Sequence, residues 1–460
     1  MGSKKNAWLK FDNTKKEEIF SFCEGYKKYI SDCKTERESI KEAIYLAESK
    51  GYRDLKNVIS TGESLKAGDK VYYNNMDKSL ALFLIGSESI ESGMRIIGSH
   101  VDSPRLDLKP NPLYEDSELS LMETHYYGGV KKYQWVTIPL ALHGVVVKKD
   151  GTKIDVVVGE EETDPVVMVS DLLIHLAAEQ QQKKAAEVIA GEDLNILVGS
   201  MPLEGEEKEA VKANILKLLK EKYDFEEEDF MSAEIEIVPA GKARDLGLDR
   251  SMVAGYGHDD RICAYTSLLA LLETESVKKT SVVLLVDKEE VGSIGATGMQ
   301  SRFFENAVAE LMDRVGEYSE LKLRRALANS KMLSSDVTAA FDPNYAGAYE
   351  KKNSAFFGKG LAFAKYTGAR GKSGCNDANA EFVAWLRNVM DENDVAYQMA
   401  ELGKVDQGGG GTIAYILAEY GMEVIDCGVA LQNMHAPWEV ASKVDIYETM
   451  RGYKAFLIAE

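Results

Sequence analysis

Apolar residues recur at helical spacing from residue 14 to residue 50 and the run stops at Gly51, which predicts a helix over 14–50. Two apolar runs follow, SLALFLIGS (79–87) and MRIIGSHVDSP (94–104), each of strand length. From about residue 108 the texture changes to brief β-like runs: VTIPLALHGVVVKK, KIDVVVG, LNILVGSM and AEIEIVPA. An acidic, lysine-rich helical stretch lies among them near 205–229, and YDFEEEDF (223–230) reads as its solvated end. Beyond residue 250 strands and helices alternate, with RICAYTSLLALLET, RFFENAVAELMDRVGEY and NDANAEFVAWLRNVMDEN as helices and TSVVLLVD as a strand. The alternation continues through GLAFAKY, AYQMAEL, TIAYILAEYG and MEVIDCGVA. Such a pattern predicts a mixed or mostly parallel sheet with helices on both faces. The expected fold class is therefore α/β, one domain built from both chain ends (1–107 and 251–460) around a β-rich insertion (108–250).

At 460 residues the chain exceeds one simple domain, and 45% hydrophobic with 28% charged residues is ordinary for a soluble globular protein. A formal net charge of −20 argues against nucleic acid and anionic membrane as partners, since both need basic surface. The five cysteines (Cys23, Cys33, Cys263, Cys375 and Cys427) are scattered and form no CxxC pair. They predict reduced thiols in place of a disulfide framework or zinc knot. MGSKKNAWLKFDNTKKEE has no apolar h-region, and no run approaches ~18 apolar residues, so a cytoplasmic protein is expected.

In open α/β sheets function gathers at the carboxyl ends of strands. Four clusters of acidic residues and histidine fall at such ends: GSHVDSPRLDLKP (98–110), GHDDRICAY (257–265), VDKEEVGS (286–293) and SSDVTAAFDPNY (334–345). A fifth, ALQNMHAPWEVAS (430–442), follows the last strand, and the chain holds only six histidines in all. Two histidines with three carboxylates would suit a pair of divalent cations bridged by one carboxylate. Singly, each cluster is weak; His100 with Asp102 could be a hydrogen-bonded turn. The oddest is Glu289–Glu290, because adjacent carboxylates repel and neighbouring strand residues point to opposite faces. The Val-Gly-Ser turn after them predicts that the strand is already ending there.

In this order the five clusters resemble the M18 family of dinuclear-zinc aminopeptidases, whose members include the aspartyl aminopeptidases. The likeness covers nearly the whole chain and is best at IIGSHVDSPRLDLKPNP, DKEEVGS and MHAPWE. It implies a helix-covered mixed sheet of the co-catalytic metallopeptidase type and an inserted β-rich dimerisation domain. It also implies dimers assembling to a tetrahedral dodecamer, peptide substrates, and two divalent metal ions per subunit: Zn2+, with Co2+ or Mn2+ as alternatives. Carried over residue by residue, His100 and Asp336 would bind the first metal, Glu290 and His435 the second, and Asp259 would bridge them. The family's Asp-Asn-Leu segment falls on Asp259-Asp260-Arg261, which favours Asp259 over Asp260 as the bridge. Asp102 would orient the His100 ring, and Glu289 would be the general base. His175, in VSDLLIHLAAEQ, would reach a neighbouring subunit's active site and hydrogen-bond the tetrahedral intermediate. His125, His143 and His258 are expected to be structural.

The chain departs from the family pattern at Ala339, where many members have histidine, and at Thr137 and Ile138, where they have an Asp-Arg pair. Neither change touches a candidate ligand; both bear on packing, assembly or side-chain preference. Lys365, Arg370 and Lys372 in AKYTGARGKSG are candidates for an S1 pocket that prefers acidic N-terminal residues, or are exposed loop charges. VDQGGGGT (405–412) lacks the ending of a phosphate loop and reads as a tight turn that lets backbone approach the substrate. The function expected is a metal-dependent aminopeptidase. The alternatives are a related metal-dependent amidohydrolase or deacylase, and a catalytically inactive assembly protein.

Overall fold

The protein is described by a computed structural model over residues 5–460. These residues form two compact units. One takes the chain up to Asp102, Ala243–Met434 and Glu439–Glu460; the other takes Ser103–Lys242 with His435–Trp438. None of the described helices is long and apolar enough to cross a membrane.

The first unit is organised by a mixed sheet, nine-stranded among the described residues. At its centre Ser281–Val286, Arg95–His100, Lys331–Ser335 and Glu423–Gly428 lie side by side, all parallel. Antiparallel neighbours flank them, Ser79–Leu84 on one side and Leu361–Ala364 on the other. VVLLV is apolar without interruption because the strand is covered on both faces. Val283 and Leu285 enter one core with Ile97, Leu333 and Ile425. Val282 and Leu284 enter a second with Ile96, Met332 and Val424, which is the period of two expected of a strand. Helices cover both cores: His258–Leu272 and Lys443–Ile458 contribute to the first, Phe303–Val315 to the second.

The single helix expected over 14–50 is two, Asn13–Asp32 and Glu36–Ser49. The break lies at Thr35, whose side chain caps the second helix while Glu38 reaches back to its backbone. The same unit carries a second sheet in which Arg244–Leu246, Met252–Gly255, Glu439–Ser442, Ala430–Gln432 and Thr338–Ala339 are successive neighbours. That pairing draws residues 243–250 into this unit, where the sequence had suggested the insertion.

The second unit is an antiparallel sheet, seven-stranded among the described residues, running Lys153–Val158, Leu140–Val147, Ala233–Pro239, Arg105–Asp116, Leu119–Tyr127, Ile196–Gly199, Met168–Val169. The lysine-rich helix is Ala210–Tyr223, and the acidic run after it forms a separate 3-10 turn, Glu227–Ser232, with Phe230 buried.

Candidate metal centre

Three adjacent parallel strands end at the same edge of the large sheet, so the residues just past them converge. His100 closes the first strand, Asp336 follows the second, and the glutamate pair follows the third. That third strand stops at Val286, Lys288 takes a left-handed φ of 71°, and Glu289–Val291 forms a 3-10 turn. Period-two alternation therefore no longer separates the two glutamates. Their N–H groups donate to the two carboxylate oxygens of Asp102, Glu289 to Oδ1 and Glu290 to Oδ2, each at 3.2 Å.

Asp102 also fixes the imidazole. His100 Nδ1 donates to its backbone oxygen at 3.0 Å and lies 3.3 Å from its Oδ1. The opposite nitrogen, Nε2, faces Asp259 Oδ1 at 3.2 Å and Glu289 Oε2 and Asp336 Oδ1 at 3.9 Å. His100 is 1% exposed, and Nε2 makes no hydrogen bond despite this company. Buried polar atoms are almost always paired, so an orphaned imidazole nitrogen ringed by carboxylate oxygens fits a divalent cation of the zinc type. His100, Asp260 and Asp336 offer one ligand atom each within 4.8 Å of one another, and so do His100, Glu289 and Glu290.

The electrostatics agree. Burial, then the charges of Glu289 and Asp260, push the Asp336 carboxyl well above the usual carboxylate range. Burial and the Asp259 charge do the same to Asp260. At His100 burial opposes the charged form, but the carboxylates of Asp102 and Asp259, then Glu289 and Asp260, outweigh it and raise the ring well above the ordinary histidine value. So many carboxylates in one buried place must gain protons or cations.

Asp259 is held from several sides. It lies in the first turn of the His258–Leu272 helix with non-helical φ/ψ, and the Asp259–Asp260 peptide bond is cis. Its N–H donates to Glu439 Oε2 at 3.0 Å, and Asp260 Oδ2 accepts the His100 N–H at 3.3 Å. Arg261, fully buried, donates to the carbonyls of Cys33, Tyr256 and Gly257. Gly257 has a left-handed φ, and a Cβ there would sit 1.6 Å from the Arg261 guanidinium, so only glycine serves. Glu439 and Arg261 were not singled out by the sequence reading. The only trace of either was adjacency: Arg261 ends HDDR, and Glu439 ends MHAPWE.

The remaining candidates are spread more widely. His435 belongs to the second compact unit, where its Nδ1 donates to the Gly129 carbonyl at 2.8 Å and its φ is 64°. His175, also in that unit, is no part of a buried helix: it sits in an exposed 3-10 turn, Ile174–Leu176, whose Ile174 and Leu176 are 64% and 66% exposed. Lys372 pairs with Asp377 at 2.8 Å and Lys365 approaches it at 3.9 Å, while Arg370 and Lys372 line a cavity of about 210 Å³ with Tyr366, Glu401 and Lys404. The glycine-rich 405–412 segment closes on this loop through Gly410, whose carbonyl accepts the Gly368 N–H at 3.1 Å. Of the other histidines, His258 is buried between the Tyr26 hydroxyl and the Val253 carbonyl, and burial pushes its pKa down to about 3. His143 bonds Glu160, and His125 bonds the Tyr126 carbonyl.

Known proteins give this geometry its context. Residues 29–457 match the family described as aminopeptidase I zinc metalloprotease (M18). A probable M18 family aminopeptidase 1 of Clostridium acetobutylicum is 66% identical over 98% of both chains. The solved M18 aminopeptidase of Thermotoga maritima is 45% identical, with a TM-score of 0.94 over 99% of both chains. The solved yeast mApe1 dodecamer from S. cerevisiae shares the fold at 20% identity, with a TM-score of 0.76 over 95% of this chain and 96% of its own. With a match this long and relatives this near, the chain belongs to the M18 family of aminopeptidases, hydrolases that act on peptide bonds.

Proposed function

We propose that this aminopeptidase depends on two divalent metal ions, Zn2+ first among them, and removes single N-terminal residues from peptides. His100 and Asp336 would hold one ion, Glu290 the other, and Asp259 would be shared between them; His435 joins this set on the resemblance of its motif alone. The observation that carries the proposal is the buried, unbonded Nε2 of His100 with carboxylate oxygens 3.2 to 3.9 Å away. When bound, such a pair of cations lowers the pKa of a water between them and polarises the scissile carbonyl.

The chain's own residues do the rest. Glu289 takes the proton of the attacking water and returns it to the leaving amine. Its carboxylate is supported for that task by lying 3.9 Å from His100 Nε2 while its backbone is tied to Asp102. Asp102 keeps the His100 proton on Nδ1, so that Nε2 presents its lone pair. Arg370 is the residue we assign to a preference for acidic N-terminal residues, because Lys365 and Lys372 already face Asp377. The exposed apolar turn around His175 supports a homo-oligomer in which that histidine serves a neighbouring subunit, with dimers building a dodecamer. Five free thiols, four of them buried, support a reducing cytoplasmic setting.

The test is a panel of aminoacyl-anilides and N-acyl amino acids assayed on metal-quantified protein. The expected result is cleavage of the anilides alone, loss on chelation, and recovery at two equivalents of Zn2+. Activity that survives complete removal of metal, or that is confined to N-acyl substrates, overturns the proposal.

A further inference from the structure

The backbone of Asp259 is held by a group that the metal set does not explain. Glu439 is the first residue of the Glu439–Ser442 strand, opposite Gly255 in the neighbouring Met252–Gly255 strand, and is 1% exposed. Its Oε2 accepts the Asp259 N–H at 3.0 Å, across 180 residues of sequence. A carboxylate buried this deeply gives up its hydration, which only well-placed partners restore. A strand needing only to pack would carry an apolar residue here, as it does at Val440 and Ala441. The loop before Asp259 is pinned from another side by Arg261, which takes the Tyr256 and Gly257 carbonyls. Between them the two charged side chains fix the peptide groups that aim the Asp259 carboxylate at His100 Nε2.

We propose that Glu439 is a positioning residue for the metal centre: its carboxylate locks the Asp259 backbone so that the Asp259 side chain is presented to the cations without reorganisation. The proposal rests on the reading of Asp259 as a metal ligand. Residues that orient ligands in this way typically alter metal affinity or activity by about 10- to 100-fold when replaced. Gln retains an acceptor oxygen of the same reach; Met fills the space and accepts nothing.

The experiment measures Zn2+ affinity by competition with a chromogenic chelator, together with kcat, KM and the circular dichroism spectrum, for the full chain and its Glu439→Met, Glu439→Gln and Asp259→Ala variants. Glu439→Met is expected to lose about 10- to 100-fold in Zn2+ affinity and to lower kcat with KM nearly unchanged. Glu439→Gln should remain within about threefold of the parent in both. A Met variant with parental Zn2+ affinity and kcat, beside an Asp259→Ala variant that loses Zn2+, overturns the positioning role and leaves Asp259 as a ligand. An Asp259→Ala variant that keeps parental Zn2+ affinity overturns the ligand reading and the positioning role with it. If the Met variant does not fold, Glu439→Asp decides: one methylene short of the N–H, it should lose Zn2+ affinity to a lesser degree, and parental affinity overturns the proposal.

Discussion

Two clusters of charge in the same compact unit are assembled with opposite balances. At the candidate centre the carboxylates of Asp102, Asp259, Glu289 and Asp336 face a single imidazole, and Asp260 accepts the backbone N–H of the same histidine. Around Asp245, one carboxylate receives three cations, Lys27, Lys443 and Arg250, each at 2.7 Å. Burial works against the ionised form of Asp245, yet hydrogen bonds from Lys27 and Arg250 and the ion pair with Lys443 outweigh it and hold the carboxyl well below its usual range. At Asp336 burial and neighbouring charges push the same way, upward. A cluster that completes its own charge is a brace; one left in deficit must take up protons or cations.

The comparison can be broken at four points. The largest effect belongs to Glu289→Gln: kcat should fall by about 10²- to 10⁴-fold with metal content unchanged, read by assay and metal analysis on one sample. Full activity in that variant would remove Glu289 from proton transfer. Next, Asp245→Ala strands the buried Lys443 ammonium and should destabilise the fold by about 3–5 kcal/mol in urea titrations, with kcat per folded molecule unaltered. A kcat loss as large as that of the Glu289 variant would mean that the brace and the candidate centre are one system.

The third point is pH. The folded-state pKa of Asp245 lies below its ordinary 3.8, so the unfolded chain binds its proton first. Its stabilising contribution is complete above pH 3.8 and is lost as pH falls towards the folded value. Asp445, which accepts the Gly358 and Gly360 N–H groups at 2.7 Å, is pushed by burial up to about 7, so the folded chain binds the proton more tightly. Its contribution is lost as pH rises from 3.8 to about 7. Chemical denaturation across pH should show Asp445→Asn flattening the 4–7 window and Asp245→Asn flattening the region below it; exchanged windows would refute both signs. The smallest effect belongs to Lys27→Gln, within about 1 kcal/mol, because Lys27 shares itself with the exposed Glu24 at 2.8 Å. A loss near that of Asp245→Ala would show that the brace acts through Lys27 more than through Lys443.

Sequence reading reached the helix-covered mixed sheet because VVLLV and its neighbours carry uninterrupted apolar runs, which only a doubly covered strand tolerates. It singled out His100, Glu289 and Asp336, which the structure brings near one another, because a carboxyl-terminal strand end is a local feature. It overran Thr35, although Thr35-x-x-Glu38 is itself a helix-start pattern inside an otherwise helical stretch. Nor does the apolar run around His175 reveal that Leu172, Leu173 and Ile174 lie exposed; an apolar pattern cannot say whether it is covered. Glu439 and Arg261 were out of reach for another reason. Their roles are hydrogen bonds to peptide groups, Asp259 N–H for one and three carbonyls for the other, and peptide groups leave no mark on residue identity.

Asp102 has a consequence beyond its own contacts. One side chain carries the peptide N–H groups of both glutamates, and its backbone carbonyl carries the histidine ring. The proposed proton carrier, one proposed ligand of each cation and the tautomer of the imidazole therefore share a single fastening. Parts mounted in common do not drift separately: thermodynamic cycles pairing Asp102 with Glu289 or His100 will be far from additive. Sequence change at those positions has no gentle slope to descend. The turn after the strand can be inherited whole or lost whole.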